Sequence, residues 1–517
     1  MKGTVVQTGA RGTTFAGAAA DSREVAAGQL FFAFPGERVD GYDFAAQAAA
    51  AGAAGIVVAR GRPVPAGCAA LTVVAVEDPR RALGELASAV RATFRGLVVG
   101  ITGSNGKTTT KELVGAALRP LGGVLRTPGN RNTDVGLPLT ILGASGGEAS
   151  WVLEMAMRAR GEIAALARIA RPHIGVVTNV AAAHLETLGS IEEVARAKGE
   201  MFGGLGPEGI AVLPTDDPLI TAQVEAASVP EARRLTFGAR AAGDVRTLDF
   251  VAAGAEGAVV RYAVRETPVV ARLPLAGAHN ARNAGAALAV ALGAGVAPQA
   301  AAAELARVEL PAHRAAVVAA GGRMILDDCY NANPLSMRAA LAAALAAAGA
   351  SGNGNGNGNG NGNGNGNGNR NGNGGGSGTG SGSGTGSGSG TGSGSANESG
   401  TRGGAHVYAN VYAILGDMLE LGRDAAALHE ALGREAGARL AGLAAVGDFA
   451  PAVVRGARAS LPAARAIVAA SPAEAAATVA GWTRAGDWIL VKASRGLRLE
   501  RAVEALRAAL EAPGPKG

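Results

Sequence analysis

At 517 residues the chain is too long for a single hydrophobic core and predicts three domains. No run reaches the ~18 consecutive apolar residues of a membrane-spanning helix, and the first residues lack a secretory-leader pattern, so a cytoplasmic protein without a membrane span is expected. Cys68 and Cys329 are too few and too far apart to predict a disulfide framework or a zinc site. The net charge of +6 comes without a Lys/Arg run and with only 3% aromatic residues, which argues against nucleic acid and leaves anionic small molecules as the partners.

Of 48 basic residues only six are lysines: Lys2, Lys107, Lys111, Lys198, Lys492 and Lys516. The chain otherwise takes arginine, so a lysine kept inside the fold marks a place where an amine is chemically required or chance has retained one.

Residues 1–93 alternate an Ala-rich helix (Phe44–Ala51) with apolar runs (Leu30–Phe34, Gly55–Ala59, Leu71–Val76), which predicts a small α/β domain. Its Asp21-Ser22-Arg23 is equally readable as ordinary turn and cap chemistry. Residues 94–310 repeat strand, loop and helix, the pattern of a doubly wound parallel sheet. Leu97–Thr102 reads as a buried strand, Gly103-Ser104-Asn105-Gly106 as a turn needing unusual backbone angles, and Lys107 onward as a helix. That order presents backbone N–H groups and a helix N-terminus to an anion, with Lys107 adding a point charge and Thr108 a hydroxyl suited to Mg²⁺. The strict triphosphate-loop pattern wants glycine at position 101, where this chain has Ile101, so the loop is a shortened variant.

Further along, Thr127–Thr133 forms a polar connection, and the strand Trp151–Met155 carries Glu154 near its C-terminal end, where ligands of such sheets bind. Ile174–Thr178 leads to Asn179 and a loop with His184 and Glu186. Ser190-Ile191-Glu192-Glu193 predicts a capped helix to about Phe202. On it Lys198 shares the apolar stripe of Ile191, Val194 and Met201, a costly position unless the amine is paired, modified or snorkels outward. Asn280 and Asn283 are three apart on the first turn of an Ala-rich helix, hence on one face.

Residues 311–517 predict a third, Rossmann-like α/β domain. Arg314 precedes a strand, Met324–Asp328, which runs into Cys329-Tyr330-Asn331-Ala332-Asn333-Pro334. A helix over Ser336–Ala348 then meets Asn-Gly and Gly-Ser/Thr repeats spanning 350–405, a low-complexity insertion expected to be disordered and given no function. Asn410–Leu415 and Trp488–Val491 are strands followed by polar clusters, the second being Lys492-Ala493-Ser494-Arg495.

Together GITGSNGKTTTKE, TPGNRNTDVGLPLT, TNVAAAHLETLGSIEEVARAKGE, GAHNARN, DDCYNANPLSM, LGDMLELG and VKASRG resemble the Mur ligase family, in family order and over nearly the whole chain outside the insertion. YNANP and DMLELG resemble its dipeptide-adding branch. The resemblance implies an α/β fold of three domains: a UDP-substrate-binding domain (1–93), a central ATP-binding domain (94–310) and a C-terminal domain (311–517). It implies ATP-driven amide synthesis: a γ-phosphoryl group passes to the terminal carboxylate of UDP-N-acetylmuramoyl-tripeptide, and D-alanyl-D-alanine attacks the acyl phosphate. Gly103, Ser104, Asn105, Gly106, Lys107, Thr108 and Thr109 would hold ATP, with Asn280, Asn283, Arg314 and Asp328 around the nucleotide.

Two Mg²⁺ sites are implied, one at Thr108 and Glu154, the other at His184 and a carbamylated Lys198; Lys107, Glu154, His184 and Lys198 would be the catalytic set. Ser22, Arg23, Asn132 and Thr133 would meet the UDP-substrate, and Tyr330, Asn331, Lys492, Ser494 and Arg495 the dipeptide or the reacting end. A monomer is expected. The stretch before Asp21 is short for the family, which predicts a trimmed first strand and helix. The alternatives are a folylpolyglutamate-synthase-like member of the superfamily, or a non-catalytic ATP-binding protein.

Overall fold

The computed structural model describes residues 3–10, 12–36, 38–181, 185–239, 243–351 and 409–512. His184 and the repeats at 352–408 lie outside the described residues.

Three sheets follow one another along the chain. The first holds β1 (Gly3–Gln7), β2 (Ala18–Ala19), β3 (Leu30–Phe32), β4 (Gly55–Ala59) and β5 (Thr72–Val76) in the order β1-β5-β4-β3-β2. All its pairs are parallel except β1 with β5. Gly3–Gln7 supplies an edge strand of this sheet.

The helix Pro79–Thr93 joins this sheet to the next. Asp78 caps it by accepting from the Arg80 and Arg81 N–H groups, and Pro79 occupies the first turn, where its missing N–H costs nothing. Ala82 and Leu83 pack into the first sheet's core, whereas Ala87, one turn later, packs into the central one. Arg91 is buried at the seam, its guanidinium donating to the carbonyls of Ala170 (2.6 Å) and Arg171 (2.8 Å). Those carbonyls satisfy a charge that burial alone would not tolerate.

The central sheet contains β6 (Leu97–Thr102), β7 (Gly123–Arg126), β8 (Glu148–Glu154), β9 (Ile174–Val177), β10 (Ile210–Pro214), β11 (Arg234–Gly238), β12 (Val245–Ala252), β13 (Ala258–Val264) and β14 (Thr267–Leu273). Its order is β14-β13-β12-β11-β10-β9-β6-β8-β7. From β7 to β12 neighbours are parallel, as expected; β13 and β14 then add an antiparallel extension. The reason is visible in β14, where buried and exposed residues alternate, the pattern of a strand with one solvated face. Β13 and β14 are joined by Arg265-Glu266, with Arg265 at φ +49° in the left-handed region that tight hairpins demand.

The third sheet has the order β15-β16-β20-β17-β18-β19, from Ala316–Ala320, Arg323–Asp327, Trp488–Lys492, Val411–Gly416, Gly442–Val446 and Ala466–Val468 respectively. It is parallel apart from β15. Strand ends differ by a residue or a few from expectation: Glu148–Glu154 replaces Trp151–Met155, and β16 stops at Asp327, leaving Asp328 in the following loop. No helix among the described residues is long and apolar enough to cross a membrane.

Candidate active site

The loop after β6 meets the start of the helix Lys107–Ala117 at the C-terminal edge of the parallel strands. Two glycines there are obligatory. Gly103 has φ +150°, and a Cβ on it would lie 1.9 Å from Thr178 Oγ1; Gly106 has φ +78°, and its Cβ would lie 2.6 Å from Asn283 Oδ1. The loop is therefore pressed between the end of β9 and the helix Ala278–Gly293.

Polar contacts fix it in that position. Asn105 N–H donates to Asn179 Oδ1 (2.9 Å), while Thr178 Oγ1 and Asn179 Nδ2 donate to the Asn105 carbonyl at 2.7 and 3.0 Å. Lys107 arches back so that Nζ donates to the Gly103 carbonyl (2.8 Å) and the Ser104 carbonyl (3.3 Å). Burial pushes the Lys107 ammonium below the usual lysine range; Glu154 opposes that shift and Arg314 adds to it.

Glu154 ends β8 and is 2% exposed. Its Oε2 accepts from Thr108 Oγ1 (2.9 Å) and its Oε1 from Asn132 Nδ2 (2.7 Å). The Lys111 ammonium lies 4.0 Å away; it is fully buried, pairs with Glu112 at 2.9 Å and donates to the Thr127 carbonyl at 2.6 Å. A buried carboxylate survives because these partners replace its water. One hydroxyl and one carboxylate held in contact at a phosphate loop form a donor set of the kind Mg²⁺ uses.

The opposite wall comes from the third domain. The Arg314 guanidinium lies 3.8 Å from the Tyr330 ring centroid, with that of Arg495 5.6 Å from the same ring. Lys492 Nζ donates to Asp328 Oδ2 (2.6 Å) and to the Asn331 carbonyl (2.9 Å), and Ala315 N–H donates to Asp328 Oδ1 (3.1 Å). Ser494 Oγ accepts from Leu419 N–H at 3.0 Å. Between the walls Asn105 and Asn333 exchange amide hydrogen bonds of 3.2 and 2.5 Å.

The resulting cleft, about 1530 Å³, is lined by Ser104 to Thr109, Asn132, Thr133, Glu154, Asn280, Asn283, Arg314, Asp328, Tyr330, Asn331, Lys492, Ser494 and Arg495. Asn283 Nδ2 donates to Asn280 Oδ1 (3.2 Å), which places the two asparagines on one face as the spacing required.

Ser22 and Arg23 stand apart from this lining: Ser22 Oγ donates to Gln47 Oε1 (2.9 Å), and exposed Arg23 pairs with Asp21, holding that carboxyl down at about 2. Lys198 is buried on the helix Ile191–Gly203, which packs with Glu162–Ala170 rather than with the loop's helix, and is not on the cleft surface; it has no hydrogen bond or ion pair among the described residues. Burial, with the Lys107 charge second, pushes its pKa well below the lysine range.

Sequence reading missed three contributors. In the sequence Asn333 and His279 stand only within longer motifs, and Lys111 only among the six lysines. Their signals are present: an asparagine two residues after Asn331, a lysine in a chain that avoids lysine, and a histidine next to Asn280. Burial lowers the His279 pKa, which Asp328 partly offsets.

Two family models match the chain, the Mur ligase family catalytic domain over residues 14–91 and the Mur ligase middle domain over residues 101–291. The chain is 36% identical over 342 residues to the UDP-N-acetylmuramoyl-tripeptide–D-alanyl-D-alanine ligase of Bacillus subtilis, covering 66% of this chain and 72% of that protein. This chain belongs to the Mur ligase family.

Within the family its similarity is to the dipeptide-adding members. The enzyme of that name from Mycobacterium tuberculosis is 42% identical over 348 residues, 62% of this chain and 66% of the other. The crystal structure of a MurF ligase from Thermotoga maritima in complex with ADP superimposes with a TM-score of 0.74 at 28% identity, covering 96% of this chain and 98% of that one.

Proposed function

We propose that this chain is an ATP-dependent amide ligase that adds D-alanyl-D-alanine to UDP-N-acetylmuramoyl-tripeptide in cytoplasmic peptidoglycan precursor synthesis. The observation that carries the proposal is the buried Thr108–Glu154–Asn132 contact at the phosphate loop, faced by Arg314, Tyr330 and Lys492. Both curated relatives named above bear the name of that activity, which favours it over a folylpolyglutamate-type ligase.

In this reading residues 1–93 bind the UDP-substrate, 94–310 bind ATP and 311–517 close over both. Gly103 to Thr109 bind the ATP phosphates, and Lys107 swings from its own loop's carbonyls onto the transferring phosphoryl group. Asn280, Asn283, Arg314 and Asp328 orient the nucleotide. Asn132 and Thr133 lie beside Glu154, where the peptide carboxylate must arrive to accept the phosphoryl group. Tyr330, Asn331, Ser494 and Arg495 position the incoming amine, and Lys492 holds their loop through Asp328 and Asn331.

Thr108 and Glu154 would hold one Mg²⁺, and carbamylated Lys198 with His184 a second; bound there, the ions neutralise charge on the transferring group. Lys198 fits the modification because only a neutral amine takes up CO₂, and its burial favours that form. Positioning and charge neutralisation supply most of phosphoryl-transfer catalysis, and both need the two walls together. Ser22 and Arg23 lie away from the reacting end, consistent with contact to a distal part of a long substrate.

The product identifies the reaction. Mass spectrometry after incubation with ATP, Mg²⁺, UDP-N-acetylmuramoyl-tripeptide and D-alanyl-D-alanine is expected to find the tripeptide extended by the dipeptide with loss of one water. Extension of a folate by glutamate, with no change to the muramoyl peptide, would overturn the assignment.

A further inference from the structure

Behind the Arg314–Asp328 wall lies a cluster that the ligase chemistry leaves unused. His313 Nδ1 is 2.8 Å from Asp327 Oδ2, and Cys329 Sγ is 3.0 Å from Asp327 Oδ1. One donor atom from each of the three residues lies within 4.8 Å of the other two. Asp327 and Cys329 are 4% and 0% exposed, whereas the His313 side chain is 30% exposed and faces the approach from solvent. The frame is stitched together: Tyr330 N–H donates to the His313 carbonyl, and Ala315 N–H to Asp328 Oδ1, each at 3.1 Å.

We propose that His313, Asp327 and Cys329 form a binding site for a thiophilic divalent cation of the zinc class, with water as the fourth ligand. An imidazole nitrogen, a thiolate and a carboxylate oxygen are the donor set that zinc accepts, whereas Mg²⁺ and Ca²⁺ take oxygen ligands. The site is therefore chemically distinct from Thr108–Glu154. Counting cysteines argued against zinc because that test looks for cysteine-rich frameworks; a mixed site needs one.

The dimensions are compatible. Bonds of roughly 2.0–2.3 Å in a tetrahedron set ligand atoms about 3.3–3.6 Å apart. The His313–Asp327 and Cys329–Asp327 separations are hydrogen-bond lengths and must each open by under ~1 Å to admit the ion, while no pair of donor atoms is more than 4.8 Å apart. Protons balance simply. The Cys329 thiol, which now donates to Asp327, gives its proton to solvent, and neutral His313 binds through Nδ1 with its proton on Nε2. One proton leaves per ion, and nothing is oxidised or reduced. His313 and Asp327 immediately precede Arg314 and Asp328, so an ion here would brace the loop that presents those two residues to the cleft.

The test is a Co²⁺ titration of the full chain, followed by the near-ultraviolet thiolate-to-cobalt charge-transfer band and checked by displacement with Zn²⁺. One equivalent with that band, release of one proton per ion in unbuffered solution and reversal by Zn²⁺ are expected. The band should vanish in Cys329→Ser, persist in Cys68→Ser, and need more than about ten-fold more Co²⁺ in His313→Gln. Cobalt at Thr108–Glu154 has no sulfur ligand and gives no such band. Absence of the band in the unmodified chain, or its survival in Cys329→Ser, would show a hydrogen-bonded trio that takes no ion. His313→Gln keeps the thiol, so it decides the matter even if Cys329→Ser does not fold. An undiminished affinity there would remove His313 and overturn the site. The inference is independent of the ligase assignment, because its readout is metal binding rather than turnover.

Discussion

The two walls of the cleft are built by different means. The central wall is a contiguous motif: Gly103 to Thr109 is held by neighbouring strand ends, and Lys107 bonds carbonyls three and four residues before it. The third-domain wall is assembled from afar. Lys492 reaches Asp328 across 164 positions, and Asn333 reaches Asn105 across 228. The first wall is thus fixed by its own domain's folding, whereas the second reaches the phosphate loop only when two domains meet. In the proposed reaction a local motif supplies the phosphate chemistry, and a long-range one decides when that chemistry is complete.

Changes on the central wall should be the most damaging. Lys107→Ala and Glu154→Gln are each expected to lower kcat by at least about 10²–10³-fold, the range for losing one preorganised electrostatic contact. Steady-state phosphate release checks this, and a loss below ten-fold in either variant would break the asymmetry. Lys198→Ala should also be nearly inactive, with partial recovery on adding short-chain carboxylic acids that replace a carbamate. Full activity without acid would make Lys198 a structural lysine.

The third-domain seam should cost less. Asn333→Ala removes the amide pair with Asn105; a hydrogen bond worth about 1 kcal/mol predicts a roughly five-fold rise in KM for ATP. A change confined to kcat would mean that the pair does not govern closure. The pH dependence is smaller still. Burial holds the Lys107 pKa below the ordinary lysine value, so as pH rises its ammonium is lost earlier than that of an ordinary lysine. KM for ATP should therefore climb on the alkaline side before an ordinary lysine would titrate. Least affected is a chain in which 352–408 is replaced by a short Gly-Ser linker, expected to keep kcat within about two-fold because loop length changes closure entropy slowly.

The same contrast explains what could be read from the residues alone. Strand β6, the glycine turn and the helix from Lys107 were legible because strand period, obligatory glycines and a helix start coincide within twenty residues. The parallel order of the sheet followed from alternation of strand and helix, but its β13–β14 extension did not, since the one-sided pattern of Thr267–Leu273 is weak beside that alternation. Partners far apart in the chain were illegible in principle. Nothing local to Asn333 announces Asn105, and nothing local to Lys111 announces Glu154; both pairings exist only once the chain has folded. Asp328 was placed at a strand end and instead leads a loop, because its side chain is claimed by Lys492 and the Ala315 amide.

The most direct test of the account is phosphate release from ATP and Mg²⁺ in four mixtures: neither peptide substrate, UDP-N-acetylmuramoyl-tripeptide alone, D-alanyl-D-alanine alone, and both. A two-wall amide ligase predicts sustained release only with both present. Equal release in all four mixtures would contradict it, and would leave an ATP-hydrolysing loop whose opposite wall takes no part.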